Sequence, residues 1–266
     1  MNQITQVSNY TLITGASTGI GLALAEQYAK NKHNLFLVAR SEEKLKQISE
    51  NLTLNHKVTV QYLALDLTSE NAATTLFEEI NKRGIMLNTL INNAGFGYLG
   101  KFVDDKIENQ LNMIDLNVRV LVELSYKFLE NFRNSTETNG YLINIASIAG
   151  FLSGPYMASY YATKNFVVSW SEGLSKELEQ ENVKVICVCP GPVATEFAER
   201  ASFNKNKIFD NLKPATPEFV AIQTYSAMLE NKLIEIPGFS NKIIPVLTKF
   251  IPRNLRLNLI KKLHKM

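Results

Sequence analysis

Tyr160 and Lys164 stand four residues apart in S-Y-Y-A-T-K, and Ser147 lies thirteen residues before the tyrosine. If the chain is helical from Pro155 onward, that spacing sets phenol and ammonium one turn apart on one face. A phenol, with an ordinary pKa of about 10, is a poor acid or base at neutral pH. A fixed cation beside it favours the phenolate and moves the pKa toward the working range, making the pair a proton-transfer device. Tyr-x-x-x-Lys by itself is equally an ordinary amphipathic pair. The residues that accompany it decide between the two.

The first of these is a glycine turn. After an apolar run, Tyr10–Thr14, the chain reads T-G-A-S-T-G-I-G, with Gly15, Gly19 and Gly21 set among Ser17, Thr18 and Ile20. Glycine permits unusual backbone angles and close approach, and the helix that follows offers free N–H groups and a positive dipole end to a pyrophosphate. At the end of the second apolar run stand Ala39, Arg40 and Ser41. A carboxylate there would favour NAD; a guanidinium can grip a 2′-phosphate bidentately. The expected cofactor is therefore NADP(H).

Asp66 and Leu67 follow the third apolar run, where the aspartate can meet an adenine edge, and Asn92, Asn93, Ala94 and Gly95 follow the fourth. Ser147 follows the fifth, and Asn117 lies inside a long helical stretch. All but Asn117 fall at the C-terminal ends of predicted strands, where open α/β sheets bind their ligands.

The elements that must position these residues alternate along the chain. Strands are predicted at Tyr10–Thr14, Asn34–Ala39, Lys57–Ala64, Leu87–Asn92, Tyr141–Ala146, Val183–Cys189 and Leu233–Ile236. Helices are predicted at Ile20–Asn31, Ser41–Leu54, Ser69–Lys82, Asp104–Arg133, Pro155–Gln180 and Pro217–Glu230, the fourth bent or broken near Asp115–Asn117. Strands continuous in Val, Ile and Leu, alternating with helices, predict an α/β fold: a doubly wound, Rossmann-like parallel sheet with helices on both faces. No internal repeat or linker divides residues 1–240, which read as a single oxidoreductase domain followed by a basic helical extension over 241–266.

Hydrophobic residues make up 45% and charged residues 20%, ordinary for a globular chain. No basic apolar leader opens it, and no run approaches the roughly 18 apolar residues that span a bilayer. Cys187 and Cys189 have no second Cys or His cluster with them and read as core thiols, so no metal is expected. These features predict a cytoplasmic protein. Residues 237–266 hold seven Lys/Arg and no acid; taking those from the net charge of +3 leaves −4 for residues 1–236. No basic stripe interleaved with aromatics supports a nucleic-acid partner.

With these residues in view, the chain resembles the short-chain dehydrogenase/reductase family over roughly residues 8–236. T-G-x-x-x-G-x-G matches Thr14–Gly21, N-N-A-G matches Asn92–Gly95, and Y-x-x-x-K matches Tyr160–Lys164. P-G-P-V-A-T (Pro190, Gly191, Pro192, Val193, Ala194, Thr195) resembles the family's segment around the nicotinamide. The resemblance implies that Tyr160 exchanges a proton with the oxygen of a carbonyl/alcohol substrate. It implies that Ser147 orients that oxygen and that Lys164 lowers the tyrosine pKa and binds the nicotinamide ribose. Asn117 would hold a water linking Lys164 to solvent. It also implies a homodimer or homotetramer built through the two long helices. The alternative is a non-catalytic NADP(H)-binding regulator or membrane-associated scaffold, which needs no polarised phenol.

Substrate choice should rest on Phe96–Phe102, Ile148–Met157 and Glu196–Pro214. They carry Phe96, Tyr98, Leu99, Phe102, Phe151, Leu152, Tyr156, Met157, Phe197, Phe203, Ile208 and Phe209, which suits a hydrophobic ketone, aldehyde or 3-oxoacyl compound. The last stretch resembles the family's substrate loop and could close as a lid. Beyond Gly238, two amphipathic helices are predicted on either side of Pro252, one using Ile243, Ile244, Leu247 and Ile251, the other Leu255, Leu259 and Leu263. Either they pack on the body or a sister subunit, or their basic amphipathic surface meets anionic lipid at a membrane periphery.

Overall fold

Side chains that alternate along each strand enter two different cores. Leu12 joins one and Ile13 the other; Phe36 and Val38 join the first, Leu35 and Leu37 the second. This period-two division is what a sheet covered on both faces requires. The computed structural model describes residues 9–135, 138–194 and 214–264. Its strands are β1 (Asn9–Thr14), β2 (Asn34–Ala39), β3 (Val60–Ala64), β4 (Met86–Asn92), β5 (Gly140–Ile145), β6 (Val183–Val188) and β7 (Ile234–Glu235). They form one parallel sheet, as predicted, and its order is β3-β2-β1-β4-β5-β6-β7.

Helices α1 (Gly19–Lys30), α2 (Glu42–His56) and α7 (Pro217–Leu229) bury Leu24, Tyr28, Leu45, Leu52, Ala221 and Met228 on one face. Helices α3 (Ala72–Lys82) and α5 (Leu121–Arg133) bury Leu76, Ile80, Leu124, Phe128 and Phe132 on the other, where Leu174 of α6 (Ala158–Glu177) also packs. The strand order reverses between β1 and β4, so the loops after those two strands diverge and leave a crevice at the C-terminal edge.

The long helical stretch is interrupted as predicted. α4 (Ile107–Ile114) passes into a π-helical turn, Asp115–Val120, and then into α5. Such turns often occur at functional sites, and this one carries Asn117. Of the predicted boundaries that differ, two have a local backbone cause. β3 starts at Val60 rather than Lys57, because Lys57 (φ 57°) closes α2 in the left-handed conformation. α6 starts at Ala158 rather than Pro155, because Tyr156 (φ 67°) is also left-handed and cannot continue a helix.

Two further helices, α8 (Phe239–Phe250) and α9 (Arg253–His264), flank Pro252. Their inner sides touch the body: Asn241 stands over Gly191, and Ile260 and His264 are buried. Of the predicted apolar set, Ile243, Leu247, Leu255, Leu259 and Leu263 are each 43–53% exposed, while Ile244 and Ile251 are half-buried. Among the described residues no helix is long and apolar enough to cross a membrane.

Candidate active site

The glycine turn is built against the loop after β4. Gly15 (φ 66°) and Gly19 (φ 55°) take left-handed angles, and a Cβ on Gly15 would stand 3.0 Å from both Ala94 Cα and Asn93 Nδ2. The buried Thr14 hydroxyl accepts from the backbone N–H groups of Asn93 and Ala94, each at 3.0 Å. The Asn93 amide donates back to the carbonyls of Thr14 (2.8 Å) and Gly15 (3.3 Å). Two loops far apart in sequence thus lock into one cradle. Gly21 is pressed onto it, since a Cβ there would fall 2.1 Å from the Gly15 carbonyl oxygen. Thr18 precedes α1 in extended conformation without capping it by its side chain, leaving the first N–H groups of the helix to a ligand. A cradle that a single Cβ would fill fits a group laid against the backbone, as a pyrophosphate is.

At the adenosine end, Arg40 is exposed and Ser41 caps α2, accepting from Lys44 N at 3.5 Å. Asp66 accepts from the backbone N–H (2.9 Å) and hydroxyl (2.7 Å) of Thr68, which hold its carboxyl below the ordinary range, with Arg40 adding to the effect. Leu67 is buried. On the other side Pro190 accepts from Ile148 N at 2.9 Å, and Val193 bridges to Ala215. Thr195 lies outside the described residues.

Ser147, Tyr160 and Lys164 converge where β5 ends. Ser147 caps the short 3₁₀ turn Ile148–Phe151, accepting from Ala149 N at 3.1 Å, and its hydroxyl donates to the Pro190 carbonyl at 3.4 Å. Both Tyr160 and Lys164 are buried. Burial pushes the Tyr160 phenol up to about 12, with the nearby Ser147 hydroxyl pulling the other way. Burial likewise lowers Lys164 to about 8. The spacing alone suggested that the ammonium would depress the phenol. Here the ammonium lies 6.0 Å from the ring centroid and donates to the Ile145 carbonyl at 2.8 Å, so desolvation outweighs it.

Asn117 is buried and embraces Phe96: Oδ1 accepts from Phe96 N (3.1 Å), and Nδ2 donates to Phe96 O (3.0 Å) and Thr163 Oγ1 (3.1 Å). A Cβ on Gly95 would come within 2.9 Å of Asn117 Oδ1 and 3.8 Å of Lys164 Nζ, so that glycine keeps open the gap between them.

The sequence places Asn92 at the end of the fourth strand, at the head of N-N-A-G, with no partner assigned to its side chain. It is buried, donating to Ser125 Oγ (2.9 Å) and Asn144 Oδ1 (3.0 Å), while Asn144 donates to Ser171 Oγ (3.0 Å). This chain ties α5 and α6 to β4 and β5 beneath the catalytic end. Two asparagines in strands otherwise rich in Val, Ile and Leu were the available signal.

Beside Tyr160 opens a cleft of about 230 Å³ lined by Tyr98, Phe102, Met113, Tyr156 and Met157, among others. Leu99 is buried behind it. Phe197, Phe203, Ile208 and Phe209 lie outside the described residues.

The family model for short chain dehydrogenases matches residues 9–206. The chain belongs to the short-chain dehydrogenase/reductase family. It is an oxidoreductase of the kind that acts on CH–OH donors. An NADP-dependent 3-hydroxy acid dehydrogenase of Schizosaccharomyces pombe is 33% identical over 79% of this chain and 83% of its own. A human very-long-chain 3-oxoacyl-CoA reductase is 28% identical over 96% and 80%. Among solved structures, a short-chain dehydrogenase from Sphingobium yanoikuyae in complex with NADPH is 29% identical, with a TM-score of 0.79 over 92% of this chain and 97% of the other.

Proposed function

We propose that this protein is an NADP(H)-dependent reductase of hydrophobic ketones, aldehydes or 3-oxoacyl compounds. The observation that carries the reading is the convergence of Ser147 and Tyr160 at the end of β5 beside the apolar cleft, with Lys164 one turn further along α6. Burial keeps the Tyr160 phenol protonated at neutral pH, so it meets a carbonyl oxygen as the proton-bearing partner. Tyr160 and Ser147 hold the substrate oxygen by hydrogen bonds; as charge builds on that oxygen, Tyr160 passes its proton to it. Lys164, near 8, is able to gain and lose a proton at working pH and resupplies the phenol, with the remaining lone pair of Asn117 Oδ1 available to a relay water. NADPH supplies the hydride when bound.

Gly15, Ser17, Thr18, Gly19, Ile20 and Gly21 would hold its pyrophosphate, and Arg40 and Ser41 its 2′-phosphate. Asp66 and Leu67 would meet its adenine. Asn93, Ala94 and Gly95, with Pro190, Gly191, Val193 and Thr195, would line the ribose and nicotinamide. The nearby relatives described as NADP-dependent or NADPH-bound support this preference. The test is NADPH oxidation over a panel of hydrophobic ketones, aldehydes and 3-oxoacyl thioesters. Silence across the panel despite cofactor binding would transfer the protein to the regulator or scaffold reading.

Two partners follow from exposed apolar surface. Ile107 and Leu111 on α4 and Phe166 on α6 support a homodimer or homotetramer, to be checked by light scattering. Phe239 and Phe250, 83% and 80% exposed among the basic residues of 237–266, support peripheral contact with an anionic bilayer. Loss of phosphatidylserine-vesicle sedimentation in Phe239→Ser/Phe250→Ser is the expected result.

A further inference from the structure

The backbone between Gly154 and Met157 forms one wall of the substrate cleft, and it is held in a costly shape. Tyr156 sits at φ 67° with a full side chain. For a residue other than glycine that conformation costs about 1–2 kcal/mol and persists only where its surroundings impose it. Two neighbouring carbonyls are fastened here from different directions. The Tyr156 carbonyl accepts from Gly100 N at 2.9 Å, across the cleft. The Pro155 carbonyl lies 2.9 Å from Nδ1 of His264, which belongs to the last turn of α9, 109 residues away.

His264 is built in rather than resting on the surface. It is 5% exposed, and its Nε2 stands 3.2 Å from the hydroxyl of Tyr161, the neighbour of the catalytic Tyr160. The two rings meet edge to face with centroids 5.6 Å apart. One neutral tautomer satisfies everything: Nδ1–H donates to Pro155, and Nε2 accepts from the Tyr161 hydroxyl. Burial lowers the imidazole pKa and so favours that neutral form, against the pull of the Pro155 carbonyl. Tyr161 in turn lies flat against Gly154, where a Cβ would come within 2.4 Å of its ring. The same histidine therefore grips both the start of the strained wall and the tyrosine that backs it.

We infer that His264 is a positioning residue for the substrate cleft: by holding Pro155 and Tyr161 it keeps Tyr156 in its left-handed, cleft-lining conformation and so sets which carbonyl substrates fit. The inference adds a specificity element to the proposed reductase site, and its turnover consequences rest on that reading. Its structural half does not, because it concerns only how the wall is held.

The experiment has two arms. The first is native-state amide exchange of the full chain, comparing wild type with His264→Ala at Gly100, Met157 and Tyr161, whose N–H groups bond to Tyr156, Gly154 and Met157. Loss of the two side-chain bonds should speed exchange there about tenfold or more, with β5 amides unchanged as the control for folding. His264→Asn, whose amide N–H can take the place of Nδ1, should restore much of the protection. Tyr161→Phe, which keeps the ring over Gly154, should lose part of it. The second arm is steady-state kinetics with one bulky and one small ketone. His264→Ala should raise KM for the bulky substrate about tenfold, with kcat within about twofold and the small substrate little affected.

Unchanged exchange in the wall would overturn the inference, and so would an equal loss of kcat/KM on both substrates. Wild-type protein that turns over no carbonyl would defeat the reductase reading, while the exchange arm still decides the role of His264.

Discussion

Lys164 donates from its ammonium to the carbonyl of Ile145 at 2.8 Å, fastening a buried lysine of α6 to the last residue of β5. Burial lowers its pKa to about 8, whereas in the unfolded chain it returns to the ordinary 10.5. Below about 8 the lysine is charged in both states and the fold bears the full desolvation cost. Between about 8 and 10.5 the unfolded chain binds more protons, so stability should rise with pH. The raised Tyr160 and Tyr161 oppose this only above their ordinary 10, where the unfolded chain ionises first. Lys164→Met should lack the rise, a difference from wild type on the order of 2 kcal/mol between pH 8 and 10. Urea unfolding at the two pH values checks it; parallel behaviour of variant and wild type would rule it out.

Tyr160→Phe removes the hydroxyl proton and leaves a ring of nearly the same shape in the same pocket. Turnover should fall by at least about 100-fold, within the usual range for loss of a general acid. NADPH should raise the unfolding temperature of the variant as much as that of wild type, because the glycine cradle lies on other elements. Appreciable residual turnover would refute the role of Tyr160; loss of the NADPH effect would mean that the phenol serves binding instead.

The alternation of apolar runs with helical patterns made the whole sheet legible in the sequence, and the glycines, Asn93, Ser147, Tyr160 and Lys164 could be placed at its C-terminal edge. What was not legible depends on contacts between distant segments. Nothing local marks Lys57 or Tyr156 as left-handed, since neither is Gly or Asn; only the carbonyls of Pro155 and Tyr156 finding distant donors makes the second tenable. Thr14 read as the end of a strand, yet its hydroxyl organises the cradle. The spacing of Tyr160 and Lys164 foretold their shared helix face but not the depth at which both lie, and that depth sets their pKa values. The second tail helix was amphipathic as expected, but it points His264 and Ile260 inward rather than Leu255, Leu259 and Leu263.

Arg40 is exposed at the end of β2, close enough to Asp66 to help hold that carboxyl low. If its guanidinium reads a 2′-phosphate, Arg40→Ala removes charge-assisted hydrogen bonds of about 1.5–3 kcal/mol. NADPH should then bind about 10–100-fold more weakly, while NADH, which lacks the phosphate, should change by no more than about twofold. Calorimetric titration with both dinucleotides separates the outcomes. Equal weakening of the two would mean that Arg40 shapes the adenosine site as a whole and does not select the phosphate.

Gly15 and Gly173 should respond to alanine in opposite senses. Gly173 lies within α6 with an ordinary backbone angle, is exposed, and has nothing within 4 Å of where a Cβ would stand. There Gly173→Ala only reduces the freedom of the unfolded chain and should stabilise by about 0.5–1 kcal/mol. At Gly15 the left-handed angle costs an alanine about 1–2 kcal/mol. Its methyl would also press on Ala94 and on the Asn93 amide, each 3.0 Å away, and displace the bond from Asn93 to Thr14 that closes the cradle. Gly15→Ala should therefore be destabilised and should also lose NADPH affinity, because the backbone it deforms is the surface proposed to receive the pyrophosphate. Thermal unfolding of both variants with and without NADPH tests the pair. If Gly15→Ala proves less stable yet binds NADPH as tightly as wild type, the turn is structural and the pyrophosphate must lie elsewhere along the crevice.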